Sequence, residues 1–312
     1  MLIATSSGVY SIKSDGTEPE PRTLKTGIDV KRVAEGEMIN IIALGDGRVL
    51  TLKDGDERTI ETGITDRIDS LCIVKENPLD LLIGTTPPYL FRLEGESPAE
   101  KVKAFNELSV RDKWYTPWGG PAAVRSLAKT IDGWVYANIH VGSIMRSPDS
   151  GESWEPVTPS LHVDVHEVNT APASNDRVYA NTYLSVYVSD DRGRSWEHRN
   201  KALNNRYGRG IAIHPGDPDT ALCGVSDGPS GSNVHGQLYH TMDAGLNWVH
   251  VTDGFPESTR KNIDTFHIAF YGRDVTWVCD EETLYLSRDK GKSWIPHWKA
   301  PEEILMISCL PD

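Results

Sequence analysis

Ser287-Arg288-Asp289-Lys290-Gly291-Lys292-Ser293-Trp294 is the stretch that decides the fold, because three other stretches share its form. They are Ser147-Pro148-Asp149-Ser150-Gly151-Glu152-Ser153-Trp154, Ser189-Asp190-Asp191-Arg192-Gly193-Arg194-Ser195-Trp196 and Thr241-Met242-Asp243-Ala244-Gly245-Leu246-Asn247-Trp248. The common pattern is S/T-x-D-x-G-x-S/N-W, with Trp-to-Trp steps of 42, 52 and 46 residues. Each part suits a tight hairpin. The Asp carboxylate accepts backbone N–H groups of its own turn. The Gly supplies a positive φ without steric cost. The Trp opens the next strand and offers a large ring to the adjacent sheet, while its N–H still finds a partner.

Outward from these turns the chain reads as strands. Apolar residues do not recur at helical spacing, and short runs alternate instead, as in Trp134-Val135-Tyr136-Ala137-Asn138-Ile139. An apolar pair precedes each turn, with Tyr as its second member in three of the four: Ile144-Met145, Val186-Tyr187, Leu238-Tyr239 and Leu284-Tyr285. The N-terminal part carries the same element at Val9-Tyr10, Val49-Leu50 and Tyr89-Leu90. Its turns are reduced to the hairpin dipeptides Asp15-Gly16, Asp54-Gly55 and Glu94-Gly95. Seven units at steps of 40 to 55 residues predict a seven-bladed, all-β propeller with four antiparallel strands per blade. Residues 1–312 read as one domain, with degenerate blades within 1–105. The first unit begins at its second strand, and the last apolar run, Ile304 to Leu310, is unmatched. Pairing the two in one blade closes the ring and leaves no open edge.

The four turns resemble the Asp-box, or BNR, repeat of sialidase-like and sortilin-like propellers. In that family the box is structural and lies between the third and fourth strands of a blade. The resemblance therefore assigns no catalysis to Asp149, Asp191, Asp243 or Asp289. It extends in repeat only to sortilin-type receptors and photosystem-assembly propellers. The chain departs from sialidases in three ways: it has no Arg-Ile-Pro motif, no clear third arginine, and seven units where sialidases have six blades.

Composition narrows the partners. The formal net charge is −13 and the pI about 5.2, which excludes the basic footprint of a nucleic-acid or anionic-membrane binder. No run approaches the 18 or more apolar residues that span a bilayer. The N-terminus lacks a basic, apolar leader, so a cytoplasmic location is expected. Cys72, Cys223, Cys279 and Cys309 are far apart in apolar contexts and read as buried thiols.

Aligning the expected innermost strands gives a second column of Lys31, Asp69, Arg125, His166, Arg209, Asp264 and Leu305. Six of the seven are ionisable and stand where each strand enters the channel. The long insertions fall at the same end. One runs from Phe105 to Pro121 and holds Trp114 and Trp118; the other runs from Ser226 to His235. His140 and Tyr183 sit on equivalent turns, and Tyr207 leads into Arg209. Functional residues concentrate in loops carried by a rigid scaffold, so this face is the expected site.

Two functional readings follow. One is a propeller that binds or hydrolyses a small acidic ligand such as an acidic carbohydrate. Asp69 and Asp264 are then the candidate carboxylates, His166 an acid or base, and Tyr207 an auxiliary. Lys31, Arg125, Arg209, His140, His235, Tyr183, Trp114 and Trp118 are its candidate binding residues. The tryptophans serve either as a stacking wall or as loop anchors. The other reading is a non-catalytic assembly propeller that recognises a protein partner. A solvated ion-pair ring is the structural alternative for the charged column. Asp164-Val165-His166, with His140 and His235, offers metal-ligand chemistry without diagnostic spacing. No metal or cofactor is expected.

Overall fold

In a computed structural model, described for residues 1–157, 159–229 and 233–310, the chain forms seven four-stranded antiparallel sheets. We number them blades 1 to 7. Blade 1 comprises Leu2–Thr5, Gly8–Ser11 and Arg22–Thr26, and the chain's last strand, Ile304–Ser308, pairs with Leu2–Thr5 as its innermost member. The expected closure is thus the observed one. The innermost strands of the next blades are Val30–Glu35, Arg67–Glu76, Val124–Lys129, Val165–Ala171, Tyr207–Ile213 and Ile268–Tyr271. Among the described residues, helix is confined to Lys103–Asn106 and a 3-10 turn, Ser109–Lys113, between blades 3 and 4.

Why the blades stack is visible in burial. Second strands such as Val135–Ile139 and Ala221–Ser226 are buried along their whole length. Both faces of each are covered by neighbouring blades, so the alternation read in residues 134–139 does not appear as alternating exposure. Seven hydrophobic clusters result, one in each gap between blades.

The four Asp-containing turns join third strands to fourth strands and satisfy themselves. In the first, Asp149 Oδ1 accepts the Ser153 N–H (2.8 Å) and Oδ2 accepts the Ser153 hydroxyl (2.7 Å). Ser147 Oγ donates to Asp149 (2.8 Å) and accepts the Gly151 N–H (2.8 Å). Trp154 Nε1 donates to the Gly151 carbonyl (2.9 Å). The same bonds recur around Asp191 and Asp289. Around Asp243 they recur with Asn247, but Trp248 donates to the Arg199 carbonyl of the preceding blade. Blade 2 shows the reduced form: Asp54 and Gly55, both at positive φ, make a two-residue hairpin between paired Lys53 and Asp56.

The other end of the blades is irregular, and the irregularity is systematic. The register between first and second strands shifts at Lys31, Asp69, Arg125, His166, Arg209–Gly210 and Leu305. A bulge at this position turns a side chain out of the ladder. The charged column is therefore a column of bulges. Blade 7 departs furthest. The alignment placed Ile263 to Phe266 in its inner strand, but that strand starts at Ile268, and Asp264 to His267 form a turn instead. The turn crosses the channel. Thr265 Oγ1 donates to the His166 carbonyl (3.2 Å), the Phe266 N–H points at Glu167 (3.4 Å), and Ile307 N–H donates to the Phe266 carbonyl (2.9 Å). Blade 6 makes room with Gly210, where a Cβ would come within 2.6 Å of the Asp264 carbonyl oxygen.

Candidate functional site

A cavity of about 980 Å³ opens at the bulged end of the blades. Its lining comes from strand entrances, from turns between second and third strands, and from the connections between blades. Five cationic side chains reach it, Arg32, Arg67, Arg125, Arg209 and Lys261, against three carboxylates, Asp69, Asp264 and Glu303. The mouth is thus basic on an acidic protein.

Asp264 stands on the crossing turn between two arginines. Arg125 Nη2 lies 2.9 Å and Arg209 Nη1 3.5 Å from its Oδ1, which also accepts the Thr265 N–H (2.7 Å). Burial pushes this carboxyl upward, but Arg209 and Arg125 outweigh it and hold it far below the ordinary carboxylate range. His267 supports the turn: its Nδ1 accepts the Asp264 N–H (3.1 Å), so Nε2 donates to the Leu305 carbonyl (3.2 Å). Asp69 is buried and equally engaged. Arg67 Nη2 lies 2.8 Å from Oδ1, and the Thr86 hydroxyl donates to Oδ2 (2.5 Å). Arg32 Nε donates to the Asp69 carbonyl (2.5 Å). Both candidate carboxylates are therefore paired with guanidinium groups.

One wall is aromatic. Trp118, Asp69, Arg125, His140, Arg209 and Asp264 all line the cavity. Trp118 is 67 % exposed on a loop turned by Gly119 and Gly120, both at positive φ, and its ring lies 5.1 Å from that of His140. Behind it the rings continue through His166 (5.6 Å) and Tyr207 (4.7 Å) to Tyr183 (5.7 Å). His166 and Tyr207 are buried, and the Tyr207 hydroxyl lies 3.3 Å from His166 Nε2. Burial, partly offset by Asp164, lowers His166, and burial with the nearby Arg125 lowers His140 to about 3. Glu167, below the crossing turn, accepts the Ile211 N–H (3.0 Å), and burial pushes its carboxyl up to about 8.

Six candidates lie outside the lining: His166 and Tyr207 are buried behind it, and four others point elsewhere. Lys31 is on the bulge but turns away to Asp29 (2.6 Å), and its neighbour Arg32 lines the cavity in its place. Trp114 is a loop anchor: it packs on Phe105 (5.6 Å) and under Arg111 (4.7 Å) in the cluster between blades 3 and 4. Tyr183 is half exposed outside the lining and stacks on His162 (5.8 Å). His235 pairs with Asp227 (2.7 Å) at the surface, away from His166. Residues 230–232 of its loop lie outside the described residues. Sequence reasoning missed Arg32, Arg67, Lys261, Thr265 and Glu303. Arg67 stands two residues before Asp69, and that period-two spacing was its available signal.

Residues 142–262 match the family model described as sortilin, neurotensin receptor 3 (Sortilin-Vps10). No curated protein matches the chain. Among solved structures it is similar to YCF48 bound to D1 peptide, at 15% identity and a TM-score of 0.65 over 92% of this chain and 88% of that one. It is similar to an ancestral GH74 enzyme, at 15% identity and a TM-score of 0.63 over 88% of this chain and 37% of that one. It is also similar to the GH74 xyloglucanase from Xanthomonas campestris, at 17% identity and a TM-score of 0.59 over 86% and 45%. These likenesses show the seven-bladed fold. They divide between a peptide binder and glycoside hydrolases.

Proposed function

We propose that this propeller binds an anionic segment of a protein partner at the arginine-lined mouth, without turning it over. The observation that carries the reading is the pairing of Arg125 and Arg209 on one carboxylate, Asp264, in a cavity where cations outnumber carboxylates five to three. Asp264 serves as an internal counter-ion, and its two partners keep donor capacity for a second carboxylate. Trp118 adds an exposed ring beside them. A peptide is favoured over a sugar because YCF48, crystallised with a peptide, is matched over 88% of its length, whereas the GH74 enzymes are matched over less than half of theirs.

Glycoside hydrolysis by Asp69 and Asp264 is the weaker reading on chemical grounds. A general acid needs a carboxyl raised toward neutrality. Asp264 is held down by arginines, and Asp69 is tied to Arg67 and Thr86. The test is a thermal-shift screen of carboxylate-bearing peptides and acidic sugars, because a specific ligand stabilises the native state by mass action. The best binder is then titrated against Arg125→Ala and Arg209→Ala. Each substitution is expected to weaken binding by about 10- to 100-fold, the value of a charged hydrogen bond, while the chain stays folded. Unchanged affinity in both variants would sink the proposal, and turnover of an acidic glycoside would replace it with the hydrolase.

A further inference from the structure

In the wall of the cavity, three side chains from two neighbouring blades converge on one point. His140 Nε2 lies 3.6 Å and His166 Nε2 3.2 Å from the same atom, Asp164 Oδ1. One ligand atom from each residue falls within 4.8 Å of the other two. The backbone fixes all three. The His140 N–H donates to the Ala123 carbonyl (3.0 Å), and the Asp164 carbonyl accepts the Tyr183 N–H (3.0 Å). His166 is the bulged residue of the blade 5 inner strand.

Hydrogen bonding alone does not explain this convergence. His166 Nδ1 faces the Gly208 carbonyl oxygen, which can only accept, so Nδ1 carries the ring proton. Nε2 is then the ring nitrogen turned toward Asp164 Oδ1. The two atoms stand 3.2 Å apart, a spacing that a shared cation can bridge. The Tyr207 hydroxyl, 3.3 Å away, satisfies His166 but not Asp164. His140, itself 9 % exposed, leaves Nε2 without a hydrogen-bond partner among the described residues, and so does Asp164 Oδ1. Buried polar atoms left unpaired are costly and rare.

We infer that His140, Asp164 and His166 hold one divalent transition-metal ion of the zinc class. Two imidazoles and one carboxylate suit such an ion, whereas calcium and magnesium require more oxygens. With ligand bonds of about 2.0–2.1 Å, tetrahedral coordination places ligand atoms roughly 3.3 Å apart, between the two separations observed. The Gly208 carbonyl on His166 Nδ1 is the kind of outer partner that orients a metal-bound imidazole. His140 lines the cavity beneath Trp118, so the ion adds positive charge to the mouth. This site does not depend on the peptide reading.

The test uses the full chain, stripped with chelator and titrated with Zn²⁺ by calorimetry and with Co²⁺ by visible absorption. One ion per chain and the ligand-field bands of four-coordinate cobalt are expected. His140→Ala and Asp164→Asn should each weaken Zn²⁺ by at least about tenfold. Zn²⁺ should also raise the melting temperature of the wild type and not of the variants. Uptake that is absent in the wild type, or unchanged in both variants, overturns the inference. Should a variant fail to fold, the wild-type cobalt spectrum decides: six-coordinate bands of hydrated cobalt refute the site.

Discussion

On one face of the propeller, four turns repeat the same hydrogen bonds around Asp149, Asp191, Asp243 and Asp289; on the other, consecutive inner strands present Asp69, Arg125, His166 and Arg209 at one register position. The repeated face closes its Asp carboxylates and Ser/Thr hydroxyls within eight residues, with the Trp248 bond to Arg199 as the exception. The varied face does not. Arg125 reaches Asp264 across 139 residues, and Phe266 reaches Glu167 across 99. Repetition here marks groups whose partners are local, and variation marks groups whose partners lie on another blade or outside the chain. On the varied face, His140 Nε2, Asp164 Oδ1 and Arg209 Nε are buried without a hydrogen-bond partner among the described residues.

If the two faces are energetically separate, the deepest cut on the scaffold face should leave the mouth intact. Trp154 is 8 % exposed and packs edge-on against Phe105 (5.2 Å) in the cluster between blades 3 and 4. Trp154→Ala is expected to cost about 3–5 kcal/mol in denaturant unfolding, with ligand affinity of the folded fraction unchanged. A parallel loss of affinity would show that the mouth is held by the turns below it.

Asp191→Ala should be milder. It removes acceptors for the Ser189 and Ser195 hydroxyls and the Ser195 N–H, in a turn open to water. A loss of about 1–2 kcal/mol is expected, below the sum of the bonds because water replaces some of them. The effect has a definite sign with pH. Burial pulls the Asp191 carboxyl up, but the Ser195 and Ser189 hydrogen bonds outweigh it and leave it below the ordinary value. Its contribution is therefore fully present above the unfolded value, near about 4, and is lost as pH falls through the lower folded value. Denaturation curves of wild type and Asp191→Ala should converge in acid. A gap that persists at low pH would assign the turn's stability to packing rather than to the carboxylate.

The scaffold face was legible because its physics is local: a carboxylate, a positive-φ glycine and a ring within eight residues identify the turn and, by repetition, the blade. Ring closure was legible because Ile304 to Leu310 had no other partner. The site was legible only as a column. Asp69, Arg125, Arg209 and Asp264 were found by alignment of the inner strands, yet what each one touches is set by other blades. Phe266 shows the limit. It fits the apolar fourth column by sequence, but the structure places it at a φ of 65° on the crossing turn, against the cluster between blades 1 and 2.

Lys31 and Arg32 give the finest test of the comparison, because one residue of slip separates a surface group from a site group. On a regular strand, neighbours point to opposite faces, and choosing Lys31 as the inward one excludes Arg32. The bulge breaks that rule. Arg32 pairs opposite Ala43 and sends its guanidinium to the Asp69 carbonyl, while Lys31 is left unpaired in the ladder and reaches Asp29. Arg32→Ala is therefore expected to weaken an anionic ligand about tenfold, near 1.4 kcal/mol. Lys31→Ala should change affinity by less than about 0.5 kcal/mol, as an exposed ion pair on the rim would. Calorimetric titration of both variants distinguishes the cases. Equal losses would mean that net charge near the mouth governs binding; loss in Arg32→Ala alone would mean that the bulge, by choosing which cation faces the cavity, determines the ligand contacts.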